Sequence, residues 1–455
     1  VRNPACISSI ALVLCCALPA APRAQVSPQQ AAALGGTLTP VGAERAGNKD
    51  GSIPPWTGGV ARPGAPYRQG DPRPDLFPNE PRLFSITAAN YQHYADRLPE
   101  GAKALFRTMP DFRMDIYPTH RTAAFPQAVY DQIRLNATRA HAAPEGIAYG
   151  VAGAAGGVPF PIPQNGAQVV WNHLLSFWGA AREARLRTYV TAADGSTTLT
   201  AAYHEVTDFP YYAPGATPSS VGPYYFKTRR IQDAPAAEAD SAYIAWQPLD
   251  SARDKYAAWR VLPGEHRVRK APSLSYDTPD ADASGLEALD EYYLFFGGPD
   301  RYDFKLLGKR EMYIPYNNNR LYLHAPTAPI GPRHEVASEL RYELHRVWVV
   351  DGTLAAGKHH VVPHRRLYID EDSWLVVYAD EWDEDGHLWK FGHGTMYVLP
   401  EVPTIIVGTQ FVYDLLLGGY ATDFVFAGEH PQYEVTPLHD PSMFSPQALA
   451  AGAER

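Results

Sequence analysis

Leu340-Arg341-Tyr342-Glu343-Leu344-His345-Arg346-Val347-Trp348-Val349-Val350 reads with a period of two. Leu340, Tyr342, Leu344, Trp348 and Val350 fall on one face, interrupted by Arg346; Arg341, Glu343, His345, Val347 and Val349 fall on the other. Side chains alternate across a strand, so this is a strand whose two faces both mix apolar and charged residues. That pattern suits a large curved sheet with helices over its concave side better than a flat sandwich. The same period predicts strands at 184–192, 197–207, 224–231, 241–247, 256–262, 304–314, 361–369, 374–382 and 387–398. Turn chemistry separates several of them: Ala193-Asp194-Gly195, Pro263-Gly264, Asp351-Gly352 and Asp385-Gly386. Many strands joined by short turns point to an antiparallel arrangement rather than a doubly wound one.

Ahead of the strands the period is 3.6. Thr87 is placed to cap a short helix through Leu98, and Pro126 suits a first helical position before Val129, Tyr130, Ile133 and Ala137. Asn165 is a cap for the clearest helix, with Val170, His173, Leu174, Phe177, Trp178 and Ala181 on one face. His173, inside that stripe, reads as a hydrogen-bonded core histidine. Gly150–Gly157 is a flexible connector without the Gly-Lys-Ser/Thr ending of a phosphate loop. Between residues 51 and 81 stand eight prolines and five glycines, which cannot pack alone and predict an extended arm lying on something else. The whole chain holds 42 prolines in 455 residues, about twice the usual ~5%, and 28 tyrosines, a composition opposed to a helical bundle. The expected organisation is a targeting segment at 1–24, an extended arm at 25–84, and one domain at 85–455. Within that domain, helices fall mainly at 85–182, the sheet mainly at 184–400, and a tail at 401–455.

Residues 1–24 carry the marks of a secretory signal: Arg2, an apolar run from Ile7 to Leu18, and small residues up to Ala24. All three cysteines, Cys6, Cys15 and Cys16, lie inside it, so a processed chain would have no disulfide, thiolate nucleophile or cysteine-ligated metal. Leu14 before Cys15 makes a poor lipid-attachment site. Removing Arg2 and Arg23 from the 40 basic residues leaves 38 against 49 acidic, a net charge of −11. With only short basic clusters such as Arg267-Val268-Arg269-Lys270, nucleic acid is not an expected partner.

The motifs of common chemistries are incomplete. His360 and His364 would sit on one strand face about 13 Å apart, too far for two ligands of one ion. His204-Glu205 and His334-Glu335 lack the second histidine of a zincin helix, and there is no Gly-x-Ser-x-Gly elbow. Glu381-x-Asp383-x-Asp385-Gly386 opens like a calcium loop but has Gly392 where a bidentate glutamate is needed, so it reads as a solvated hairpin tip. Arg341, Glu343 and His345, with Asp300 or Asp370 nearby, form either an acid–base set or a buried charge network fixing the strands; the network is the reading adopted.

Several strings carry a family resemblance: Gly36–Glu44 with Ala46-Gly47-Asn48 and Ile53–Gly59, Tyr117–Ala123, Gly157–Pro163, Gly298–Asp303, Arg341–Trp348 and Tyr368–Trp374. Together they resemble the proteobacterial family called domain of unknown function 1329, exported proteins related to outer-membrane lipoprotein-sorting proteins. The resemblance runs from about Ala32 to the C-terminus. It implies an incomplete antiparallel barrel wrapped around helices, with an apolar cavity, and relatives often encoded beside outer-membrane proteins and RND-type exporters. It implies no catalytic residue.

The expectation is therefore an α+β fold: an incomplete antiparallel β-barrel of the lipoprotein-carrier kind, wrapped around helices, with a proline-rich arm. The expected role is that of a periplasmic carrier, binding or accessory protein for a lipid-like molecule, in the company of an outer-membrane protein or RND-type transporter. The helices between Pro126 and Arg182 would gate the cavity. Its expected lining is Trp178, Trp259, Tyr342, Trp348, Trp374 and Tyr378, and the expected polar network is Asp300, Arg341, Glu343, His345 and Asp370. No cofactor and no metal are expected. Two alternatives stand: an esterase-like envelope hydrolase using the Arg341/Glu343/His345 face, and an adaptor of an outer-membrane protein that binds no small ligand.

Overall fold

The computed structural model describes residues 26–452 apart from 65, 66, 266 and 272–275; the targeting segment expected at 1–24 lies outside them. Among the described residues, sixteen strands form one sheet. Seven follow one another in space as in sequence: Tyr302–Pro315, Tyr342–Leu354, His364–Asp370, Val376–Trp382, Leu388–Leu399, Thr404–Asp414 and Tyr420–Val425. A second meander runs through Ala181–Thr191, Thr197–Asp208, Tyr224–Ala234, Ala242–Pro248, Ala257–Val261 and Arg269–Lys270. The meanders join where Tyr420–Val425 lies antiparallel to Ala181–Thr191, with Tyr420 opposite Thr191. The short strands Phe84–Thr87 and Arg113–Ile116 extend one end, and Glu434–Thr436 pairs with Ala181–Thr191. Among the described residues, the two ends of the sheet are not hydrogen-bonded to each other, so the barrel is incomplete.

All ten expected strands are present, and the expected turns at Gly195, Gly264 and Gly386 have glycine in the left-handed region. Asp351-Gly352 is a correction: it lies within Tyr342–Leu354, paired with Phe304 on one side and Arg365 on the other. Gly352 is there for closeness, since a Cβ would stand 2.7 Å from the Phe304 ring. The expected tail at 401–455 is a second correction. Its first part supplies two central strands, Thr404–Asp414 and Tyr420–Val425, buried at every residue. A strand covered on both faces shows no alternation, which is why period two did not reveal it.

The helix Gly166–Leu174 is the central one, packed on Tyr302–Pro315 and Tyr342–Leu354 with eight of its nine residues buried. Asn165 caps it, its side chain accepting from the Gln168 N–H at 3.1 Å. The helix stops earlier than its apolar stripe. The Ser176 hydroxyl turns back to the His173 carbonyl, the Trp178 indole donates to Ser176, and Gly179 is left-handed at φ 105°. Thr87 ends a strand instead of capping a helix. Residues 26–83 pass over this body, anchored by the Trp56 indole on the Ala123 carbonyl (3.0 Å) and by the buried Arg73 on Glu401 and the Tyr433 carbonyl.

Candidate functional site

Strand register lines up a row across the second meander: Glu205 opposite Arg230, Arg230 opposite Tyr243, Tyr243 opposite Arg260. Residues 276–296 cross in front of this wall. Between the two lie three cavities of about 340, 50 and 20 Å³. They are neighbours: Arg230, Tyr243, Leu289 and Tyr292 border the first and second, and Phe226, Tyr293 and Phe296 border the second and third. The outermost falls within the ~300–1,000 Å³ typical of ligand pockets. Alternation builds the wall, because Phe226, Thr228 and Arg230 share a face, as do Tyr243, Ala245 and Gln247 beside them.

The apolar lining surrounds two cations. Arg182 reaches the Glu205 carboxylate at 2.7 Å and donates to the Tyr293 hydroxyl, with the rings of Trp178, Tyr293 and Tyr433 each 5.4 Å from its guanidinium. Arg230 lies 3.7 Å over Tyr203 and donates to Asp282 at 2.9 Å and Glu205 at 3.5 Å. The Nε–H of each arginine is buried without a hydrogen-bond partner. Near the mouth, Asp280 accepts from the Tyr292 hydroxyl at 2.9 Å; burial, with Asp282 and Asp423 adding repulsion, pushes its carboxyl up. The inner wall is held in costly backbone. Tyr293, Leu294 and Phe424 are all left-handed non-glycine residues, and the Tyr293 and Phe424 rings stack at 4.4 Å. Such conformations cost of order 1–3 kcal/mol each and persist where surrounding contacts over-determine them, as the Leu294 N–H to Gln410 bond (3.1 Å) does here. A wider groove of about 1070 Å³ lies beside residues 144–154 and 249–255, but Glu145, Asp250, Arg253 and Lys255 line it, which makes it a poor place for an apolar ligand.

Of the six residues expected to line a cavity, Trp178 lines the innermost of these three. Trp259 packs on Trp246 at 4.6 Å in a satellite cluster. The other four belong to the first meander. Tyr342 donates to Glu335 (3.0 Å), Tyr378 to the Tyr313 carbonyl (2.8 Å) and the Trp374 indole to the Val41 carbonyl (3.0 Å). Trp348 stacks on Trp374 under Lys309. Tyr342, Tyr378 and Trp374 are core, fixed by their polar tips, whereas Trp348 is partly buried against that core and its indole N–H has no hydrogen-bond partner among the described residues. Residues 276–296, with the short 3-10 segment Leu289–Leu294, cover the two larger cavities, while the end of the helix Gly166–Leu174 borders the smallest through His173 and Leu174. Phe226, Tyr243, Tyr292, Arg182 and Arg230 were missed. The alternation of Phe226 and Arg230 was legible, but the segment that faces them was not.

The expected polar network forms around Glu343, without Asp300, which pairs with Lys358 elsewhere. Glu343 accepts from Arg341, from Asn317 (2.9 Å) and from the His120 N–H (2.7 Å), and faces His345 Nε2 at 3.3 Å. Burial raises its carboxyl, yet His345 and Arg341 outweigh this and hold it below the usual range. Ring nitrogen of His345 and carboxylate oxygens of Asp370 and Asp372 lie within 4.8 Å of one another, all buried; Asp383, Asp385 and His387 form a comparable group on the exposed hairpin. His360 is buried against Asp290 at 3.1 Å, while His364 meets Asp351 at 3.1 Å.

A family model described as "Protein of unknown function (DUF1329)" matches residues 85–450. An uncharacterized protein of Pseudomonas aeruginosa is 37% identical over 436 residues, 94% of each chain. A DUF1329 family protein from Desulfovibrio piger is similar in structure with a TM-score of 0.41 and 12% identity, covering 60% of this chain and 92% of that one. A LolA superfamily protein from Nitrosomonas europaea follows at 0.37 and 12%, covering 62% of this chain and 98% of that one. With four-fifths of its length matched by the family model and a relative of this identity along nearly all of it, the chain belongs to the DUF1329 family.

Proposed function

We propose that the protein is an exported periplasmic carrier or binding protein for a lipid-like molecule, held in the cleft between the second meander and residues 276–296. One observation carries the reading: a chain of cavities lined by Phe226, Tyr243, Tyr292, Tyr293 and Phe296 has two guanidinium groups among its aromatic rings, that of Arg182 buried and that of Arg230 partly exposed. Apolar walls with a few placed polar groups are what an amphiphile requires. The rings take the chain, and Arg230 at the border of the outer cavity takes the polar end. Among the described residues no helix is long and apolar enough to cross a membrane. Delivery to an outer-membrane protein or an RND-type transporter is the role proposed for the loaded carrier.

Native mass spectrometry of full-length protein purified from its own host, followed by lipid extraction, tests this. The expected result is a ladder of adducts with lipid masses that collapses on delipidation. Bare protein under conditions that retain lipid on a known carrier would count against the proposal.

A further inference from the structure

Three of the strings that carry the family resemblance meet at one place in the fold, away from the cleft. Tyr117–Ala123 contributes Arg121, Arg341–Trp348 contributes Glu343 and His345, and Tyr368–Trp374 contributes Asp370, Asp372 and Ser373. We propose that His345, Asp370 and Asp372 bind one divalent transition-metal ion of the Zn²⁺ class, which clasps the 370–374 turn to the strand Tyr342–Leu354. This rests on different residues from the carrier reading.

Two features beyond proximity support it. Each donor is held by a neighbour in the way metal ligands are oriented. Glu343 faces the Nε2 of His345, Ser373 gives Asp370 Oδ2 both its N–H (2.9 Å) and its hydroxyl (2.6 Å), and Arg121 grips Asp372 through Nε (2.8 Å) and a terminal nitrogen (2.7 Å). Next, the other oxygen of Asp370 is buried with no hydrogen-bond partner, and so is the hydroxyl of Tyr316, whose ring stacks on His345 at 3.9 Å. Both side chains are fully buried. Orphaned buried oxygens are costly, and a cation relieves that cost.

One imidazole with carboxylate oxygens suits zinc, and manganese next. Tetrahedral ligands ~2.1 Å from a shared ion stand ~3.4 Å apart, so atoms within 4.8 Å of one another close by up to ~1.4 Å when an ion binds. The clasp has something to hold. Trp374 takes the Val41 carbonyl, Glu371 accepts from the Glu44 N–H, and Arg346 donates to the Ala46 carbonyl, so residues 41–46 are tied to the 370–374 turn.

The test uses untagged full-length protein stripped with chelator, dialysed against Zn²⁺ alone, and measured by elemental analysis and titration calorimetry. Wild type should retain one equivalent; Asp370→Asn and His345→Gln should fall to background. Asp383→Asn with His387→Gln, on the exposed hairpin, should keep the equivalent. Asp370→Asn preserves the acceptor for Ser373 and should melt cooperatively. If it does not, Tyr316→Phe serves in its place: in Co²⁺-loaded protein it should alter the visible absorption band. Absence of stoichiometric metal in wild type, retention in Asp370→Asn, loss in the hairpin variant, or an unchanged cobalt spectrum in Tyr316→Phe would overturn the site.

Discussion

His173 has one neutral tautomer available to it. The Val376 N–H donates to its Nδ1 at 3.2 Å, so its Nε2–H donates to the Phe295 carbonyl at 2.9 Å. Burial pushes its pKa down to about 4 from an ordinary value of 6.5. A group depressed in the folded state stabilises it above the unfolded pKa and loses that contribution as pH falls through the folded one. The window is therefore pH 6.5 down to about 4, and the loss is about 3 kcal/mol. His173→Gln keeps hydrogen-bonding atoms without titrating; it should be less stable than wild type at pH 7 and close most of that gap by pH ~4.5. Urea unfolding at the two pH values measures this, and parallel losses in both proteins would refute it. Here the sequence disclosed a core histidine through its helical stripe. It also placed Arg341, Glu343 and His345 together, because alternate residues of one strand are neighbours whatever the fold. What it withheld are Asn317 and His120, the other partners of Glu343, which arrive from far along the chain.

At the scale of elements, the helix Glu100–Thr108 is docked by its first two residues. Its N-terminal amides, on Glu100 and Gly101, donate to the Asp380 carboxylate at 2.9 and 2.7 Å, so a residue of the sheet caps the helix. A Cβ on Gly101 would stand 2.2 Å from the Phe391 ring. Asp380→Ala is expected to cost about 2 kcal/mol and Gly101→Ala a similar amount, the first through lost capping and the second through overpacking. Denaturant titration of both reads the effect; a change below ~0.5 kcal/mol would contradict the docking. Burial raises the Asp380 carboxyl to about 6, so its contribution is full below pH 3.8 and is lost as pH rises through about 6. Asp380→Asn should remove that dependence. Ten strands were legible from period and turns, including Val376–Trp382 and Leu388–Leu399, which are buried along most of their length. Thr404–Asp414 and Tyr420–Val425 were not, since burial on both faces erases the alternation. Nor was the early end of Gly166–Leu174, which Ser176 and Gly179 impose against the apolar stripe.

The whole molecule is two meanders made continuous by a late strand against an early one, and the cleft belongs to the second. Its cover comes from residues 276–296, between the meanders in sequence, so no local pattern could pair the cover with its wall. Trp348 is consequently the wrong place to probe ligand binding; Ala245, on the wall of the middle cavity between Thr228 and Ala258 in register, is the right one. Ala245→Phe fills the space while leaving the arginines untouched. Each buried methylene is worth ~0.8 kcal/mol, so affinity for the cleft should climb with chain length. The decisive measurement is the melting temperature of delipidated protein across saturated fatty acids of about eight to about eighteen carbons. Wild type should rise progressively with chain length and Ala245→Phe should stay flat while folding normally; a wild-type melting temperature indifferent to chain length, or an Ala245→Phe protein that rises equally, would contradict a ligand-carrying cleft.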